Sequence, residues 1–265
     1  MNLDTILNQD CLEYMRTLPD SCIDLVMTSP PYAMQRKNTY GGIPEDQFPD
    51  WFAEIGKEIQ RILKPTGSFV LNIKEHCKDG QRSTYVLKTV LKLSEILLWN
   101  DTYIWYKPNP FPTSNDRRLK DGFEYCYLFT KTKDYKFNIK NVLKASTIKP
   151  GTIRKKRTLR EDHLGFKHQF VDVGFSRPSN VLEITLGANT NQVHPAMFPE
   201  KLPEFFIKLL TDPQDVVYDP FAGSGTTLMV AKRLSRHYLG TEIVKEYTDL
   251  AETRINSVPD KIEEW

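Results

Sequence analysis

The stretch Ile23–Thr28, IDLVMT, is a strand-length apolar run halted at once by Ser29, Pro30 and Pro31, and it belongs to a series that alternates with helically spaced segments. Thr5–Asn8, Ser68–Ile73, Thr102–Tyr106, Tyr125–Thr130, Val216–Tyr218 and Tyr238–Thr241 read as further strands. Cys11–Leu18, Phe52–Leu63, Tyr85–Leu98, Pro203–Leu210, Thr226–Leu234 and Glu246–Asn256 read as helices, with Lys64–Gly67 (KPTG) expected to end the second of them. Strands joined through helices imply a mostly parallel sheet covered on both faces, an α/β architecture. At roughly 150 residues per domain, the 265 residues make one large domain or one domain with a sizeable insertion.

Net charge is only +2, but its distribution is uneven. Lys131–Arg177 carries 13 Lys and Arg against 4 Asp and Glu, which leaves the rest of the chain at −7. The segment contains IRKKRTLR at Ile153–Arg160 and shows no clear periodicity. A basic, irregular insertion in an acidic α/β frame suits a nucleic-acid surface; a solvated loop reads the same way from charge alone. Cys11, Cys22, Cys77 and Cys126 are scattered without a C-x-x-C pair, so neither a disulfide framework nor a zinc site is expected. His163 and His168 lie five apart, which is not ligand spacing either, and no metal is predicted. The start, MNLDTILNQD, lacks a basic region before an apolar run, and no stretch reaches the length of a membrane helix. A soluble, intracellular protein is expected.

Two motifs carry chemistry. Val217–Thr227, VYDPFAGSGTT, runs from a strand end into a helix. Gly223 and Gly225 permit a sharp turn and close approach of a ligand, and the helix N-terminus offers N–H groups to an anion. Glu242 ends the next strand, 23 residues after Asp219, where a carboxylate can accept from both hydroxyls of a ribose. Leu228 stands where a dinucleotide fingerprint wants a third glycine, so a nucleoside fits better than NAD; a tight structural turn also fits. The second motif is Thr28–Tyr32, TSPPY. Pro30 and Pro31 stiffen the loop and remove two donors, Ser29 adds a hydroxyl acceptor and Tyr32 a flat face. Such a corner suits a planar substrate bearing an amino group; a Pro-Pro strand terminator is the plainer alternative.

In combination and order, TSPPY before VYDPFAGSGTT with a basic segment between resembles the β-class of S-adenosylmethionine-dependent DNA methyltransferases that act on exocyclic amino groups. DCLEYM at Asp10, RILKPTGSFVLNI (Arg61–Ile73), WYKPNPFP (Trp105–Pro112), FEYCYLFTK (Phe123–Lys131) and HPAMFPEKLPEFFIKLL (His194–Leu210) extend the resemblance over most of the chain. It implies a Rossmann-like methyltransferase fold with a mostly parallel seven-stranded sheet, circularly permuted, and an inserted target-recognition region. The implied division is a catalytic half over 1–131, a recognition region over 132–190 and a cofactor half over 191–265. It implies S-adenosylmethionine around Asp219, Pro220, Phe221, Ala222, Gly223, Ser224, Gly225, Thr226 and Thr227, with Glu242 on the ribose. Asp10 and Cys11 would meet the adenine on a strand beside that of Glu242, although Asp10 is also a favoured helix cap. His194 and Pro195 match the remaining cofactor motif, or simply a helix entry. Ser29, Pro30, Pro31 and Tyr32 would form the catalytic corner, Tyr32 stacking on a base taken out of the duplex.

Cytosine C5 methylation is rejected, because its nucleophilic cysteine follows a proline and no cysteine here does. Serine at the head of the tetrapeptide resembles the cytosine-N4 branch, with adenine-N6 as the alternative. Lys107 and Asn109 are candidates for the target pocket or for phosphate, and Asn115, Arg117, Arg118 and Lys120 form a polar loop that could meet DNA. Arg154, Lys155, Lys156, Arg157 and Arg160 are phosphate candidates. The resemblance suggests double-stranded DNA as partner, a cognate restriction endonuclease, no membrane, and a cytoplasmic protein of bacterial, archaeal or phage type; monomer and homodimer stay open. An RNA or protein methyltransferase and a non-catalytic nucleic-acid-binding module are the rival readings.

Overall fold

The computed structural model describes residues 1–33, 42–78, 80–113, 116–155, 169–186 and 198–259. Eight strands make one sheet: β1 Thr5–Asn8, β2 Ile23–Thr28, β3 Leu63–Ile73, β4 Leu98–Tyr106, β5 Phe123–Thr130, β6 Val181–Glu183, β7 Val216–Asp219 and β8 His237–Glu242. Their order is β1-β8-β7-β2-β3-β5-β4-β6. Only β5 runs against its neighbours, pairing antiparallel with β3 and β4; the other pairs are parallel. This is the expected parallel architecture with one strand more than seven. The extra strand, β6, comes out of the stretch read as irregular and pairs with β4 at Val181–Ile104.

Alternation along the strands sends side chains to two cores. Helices α1 Cys11–Met15, α2 Phe48–Ile62 and α3 Tyr85–Ser94 cover one face, packing on Val26, Phe69, Leu71, Phe129 and Tyr218. Helices α4 Lys201–Leu210, α5 Thr226–Arg233 and α6 Lys245–Asn256 cover the other, packing on Leu25, Met27, Val70, Leu128 and Val217. Val26 and its neighbours Leu25 and Met27 thus face opposite ways, as a pleat of period two requires.

Two boundaries differ from expectation. KPTG ends α2 as expected, at Ile62, but the strand begins before Ser68: KPTG already belongs to β3, whose Leu63 pairs with Ile23. Gly67 makes this possible: a Cβ there would stand 3.0 Å from the Ile23 carbonyl and 3.1 Å from that of Asp24. At the other boundary, Leu98 belongs to β4 rather than to the preceding helix, because its pairing with Thr130 of β5 captures it. The basic segment is not wholly surface either. Lys131 Nζ donates to the Leu63 carbonyl at 3.0 Å, and the Lys136 ammonium sits among Asp24, Asp212 and Asp215. Tyr135, Ile139 and Val142 pack on the second core. Among the described residues no helix is long and apolar enough to cross a membrane.

Candidate functional site

Parallel strands end on the same side, so the carboxyl ends of β1, β8, β7, β2, β3 and β4 form one ridge with the start of β5. Ligands in open α/β sheets sit on such a ridge. The two sequence motifs meet there because β7 and β2 are neighbours. Thr28 Oγ1, the last residue of β2, donates to Asp219 Oδ1 at 2.6 Å, joining the strand that leads into TSPPY to the strand that leads into the glycine turn.

Asp219 is buried and fully engaged. Oδ1 also accepts from the Phe221 N–H at 3.1 Å, and Oδ2 from Thr227 Oγ1 at 2.7 Å. Burial pushes its carboxyl up from an ordinary 3.8 to about 6, against the pull of those donors. Between these values the folded protein holds a proton that the unfolded chain has released, so this group's contribution to stability falls as pH rises. Asp219→Asn should remove the effect. The stability difference between wild type and Asp219→Asn is expected to fall by about 2 kcal/mol from pH 4 to pH 7. Denaturant titrations at the two pH values check it, and a constant difference would refute it.

The turn after Asp219 is braced from several sides. Gly223 and Gly225 have φ of 52° and 76°, in the left-handed region. The Pro220 carbonyl accepts from Thr241 Oγ1 and the Ala222 N–H donates to the Thr241 carbonyl. Arg254, on α6, donates through Nη1 to Ser224 O at 2.6 Å, Ser224 Oγ at 2.8 Å and Thr226 Oγ1 at 3.1 Å. The side chains of Asp219, Ser224, Thr226 and Thr227, expected around a ligand, therefore hold the turn in shape. Phe221 packs on Trp51 and Phe52, with ring centroids 5.8 Å and 6.4 Å away.

Glu242 ends β8 and is buried, Oε2 accepting from the Gly223 N–H and Oε1 from the Val244 N–H, both at 2.9 Å. β1 pairs Asn8 with Glu242, which brings the first strand of the chain beside the last. Asp10 follows directly and caps α1, Oδ1 accepting from the Leu12 and Glu13 N–H groups at 2.9 Å and 3.0 Å. The cap reading of Asp10 is thus the one its oxygen follows. The Cys11 thiol is pushed up to about 12, by burial first and then by Asp10. Burial also raises Cys22 and Cys126, so none of the three is an activated thiolate.

On the β2 side, the half-buried Tyr32 ring packs on the first core. Its hydroxyl donates to Glu124 Oε2 at 3.3 Å, while burial and the Glu124 charge hold its pKa well above the ordinary value. Glu124 had no signal in the sequence beyond one acid in an aromatic strand. Lys107 pairs with Glu124 Oε1, lies 4.3 Å from the Trp105 ring centroid and is 7% exposed. The Lys107 ammonium is thus engaged by Glu124 and turned inward rather than presented to solvent. Asn109 is also engaged: its amide exchanges hydrogen bonds with Leu186 N and O at 3.0 Å and 3.3 Å, closing the chain after β4 onto the chain after β6. Arg154 and Lys155 lie in a short antiparallel ribbon, Ile153–Lys155 with Gln169–Val171. Asn115, Lys156, Arg157, Arg160, His194 and Pro195 lie outside the described residues.

The sequence pattern of a family described as DNA methylase matches residues 23–253. The chain is 36% identical over 267 residues to the type II methyltransferase M.PvuII of Proteus hauseri, a match spanning 90% of this chain and 79% of that one. The solved PvuII DNA methyltransferase (cytosine-N4-specific) superposes with a TM-score of 0.75 at 31% identity, over 96% of this chain and 90% of that chain. The M1.HpyAVI–SAM complex has the same fold, with a TM-score of 0.62 at 23% identity over 95% and 98% of the two chains.

Proposed function

Because the chain belongs to the DNA methylase family, we propose that its carboxyl ridge carries a methyl group from S-adenosylmethionine on the β8–β7 side to the 4-amino group of a cytosine on the β2 side. The observation that carries this reading is the Thr28–Asp219 bond, which fixes the two half-sites against each other. Cytosine N4 is favoured by serine at position 29 and by the cytosine-N4-specific PvuII enzyme. Adenine N6 is the alternative acceptor.

The residues present suit the cofactor. Glu242, oriented by two backbone donors, is a preset acceptor for ribose hydroxyls. The N–H groups at the start of α5 would hold the anionic end of its amino acid moiety, and Phe221 would wall the site. Asp10 and Cys11, beside Glu242, border the adenine. When bound, S-adenosylmethionine supplies a methyl group already activated by its cationic sulfur. The protein's task is then alignment. The target amine is a poor nucleophile because its lone pair is delocalised into the ring. Ser29 Oγ and the Pro30 carbonyl accept its two N–H bonds, draw the nitrogen toward tetrahedral geometry and localise the pair on it. Ser29 Oγ relays the released proton, accepting it from the nitrogen as its own hydroxyl proton passes to solvent, and Tyr32 stacks on the flipped base. Pro31 keeps the corner stiff.

The remaining assignments belong to the same proposal. Residues 132–190 form the recognition region between a catalytic stretch, 1–131, and a cofactor stretch, 191–265, in circularly permuted order. A cognate endonuclease and a bacterial cytoplasmic setting are part of the proposal, supported by the likeness to a type II methyltransferase. Arg154, Lys155, Lys156, Arg157 and Arg160 meet phosphate. Replacing Arg154 to Arg157 by glutamine should weaken binding to all duplexes alike and flatten the dependence of log K on log salt by about 0.9 for each phosphate no longer neutralised. An unchanged slope would remove the patch from the interface.

The decisive test is methyl transfer from labelled S-adenosylmethionine to duplex DNA, RNA and protein, followed by digestion of the DNA and mass measurement of its nucleosides. N4-methylcytosine is expected. N6-methyladenine would move the chain to the other branch, and label in RNA or protein alone would overturn the reading.

A further inference from the structure

We propose that Glu124 is a positioning residue for methyl transfer, acting on the Ser29–Tyr32 corner through the Tyr32 hydroxyl, with Lys107 as its counter-ion. The inference rests on the reading of that corner as the target site. Tyr32 is joined to the chain by two soft torsions, so a ring fixed only at its Cβ swings. A hydrogen bond at the far end, from its hydroxyl to Glu124 Oε2 at 3.3 Å, fixes both torsions and presents one set face. Glu124 can serve as an anchor because it is itself held. Lys107 takes Oε1, and Asn72 Nδ2 donates to Oε2 at 3.3 Å and to the Tyr125 carbonyl at 3.0 Å. Those groups lie on three strands, at the end of β3, the start of β5 and just past β4, so the anchor is referred to the sheet rather than to a loop. A buried ion pair adds little net stability, since desolvation offsets the attraction. Its consequence here is directional: it keeps a charged acceptor aimed at one phenol.

The experiment is a double-mutant cycle. Wild type, Y32F, E124Q and Y32F/E124Q are compared in single-turnover methylation of duplex DNA, with cofactor affinity measured by titration. Each single change should slow transfer about tenfold while leaving cofactor affinity within twofold, and the double variant should be no slower than the slower single. E124Q strands the Lys107 charge, so K107M/E124Q is included to restore neutrality; it should fold and remain slow. Multiplicative losses of about a hundredfold in Y32F/E124Q, or wild-type rates in E124Q or K107M/E124Q, would overturn the proposal. Wild-type turnover on DNA is the reference for every ratio, and its absence would overturn the reading of the corner as well.

Discussion

A Gly225→Val chain is expected to lose about 3 kcal/mol of stability and its measurable cofactor binding. Two costs add. Gly225 has φ of 76°, a conformation a β-branched residue enters only with about 1–3 kcal/mol of strain. A Cβ there would also stand 2.8 Å from Ala251 Cβ, 3.2 Å from Ala251 Cα and 3.4 Å from Ile255 Cδ1. The second of these is backbone of α6, so the clash is not relieved by turning a side chain; the helix must move, at a further cost of about 1–3 kcal/mol. The helix that moves carries Arg254, the residue that holds Ser224 and Thr226. Displacement therefore reaches the turn both directly and through its brace. Gly225→Ala should lie between Gly225→Val and wild type, sharing the strain but adding less bulk. Denaturant melts and isothermal titration with S-adenosylmethionine measure both effects. Wild-type stability in Gly225→Val would show that the turn is looser than its packing implies.

How much of this was legible beforehand depends on the range of the interaction. The strand and helix alternation was legible because it rests on local periodicity, and the ridge followed from it, since parallel strands must end together. The two motifs were legible because prolines and glycines mark backbone requirements a few residues long. What the sequence hid was pairing at a distance. Lys107 and Glu124 lie apart in the sequence, and the antiparallel register of β4 and β5, which sets Tyr106 opposite Phe123, makes them neighbours. Arg254 is one of many charged residues on α6 until the close approach of Gly225 and Ala251 lays that helix against the turn. KPTG carries the residues of a helix stop, and α2 does stop before it at Ile62; what the sequence hid is the pairing of Leu63 with Ile23, which starts β3 there instead of at Ser68. Asp10 and Asp219 illustrate a subtler limit. Their positions on the ridge were readable, but whether a carboxylate faces a ligand or its own backbone depends on which donors lie within about 3 Å, and spacing does not report that.

Ser29→Ala tests the chemistry most directly, and a fall in turnover of about a hundredfold is expected, the size of losing one well-aimed hydrogen-bond partner at a reacting group. The fold should not notice the change. Ser29 is only half-buried, and its neighbour Thr28 keeps the bond to Asp219 that fixes the corner. Alanine keeps the backbone, so the Pro30 carbonyl still accepts one amine proton and some activity survives. Cofactor affinity should stay within about twofold, because Glu242 and the Gly223–Gly225 turn are referred to β8 and α6, not to Ser29. The loss should fall on kcat rather than on KM for DNA, since the acceptor acts on the nitrogen as its bond to carbon forms. If affinity for S-adenosylmethionine fell in step with turnover, Ser29 would belong to the cofactor half of the ridge. If turnover held, the amine would be gripped by the Pro30 carbonyl alone, and the hydroxyl would have no part in localising its electrons.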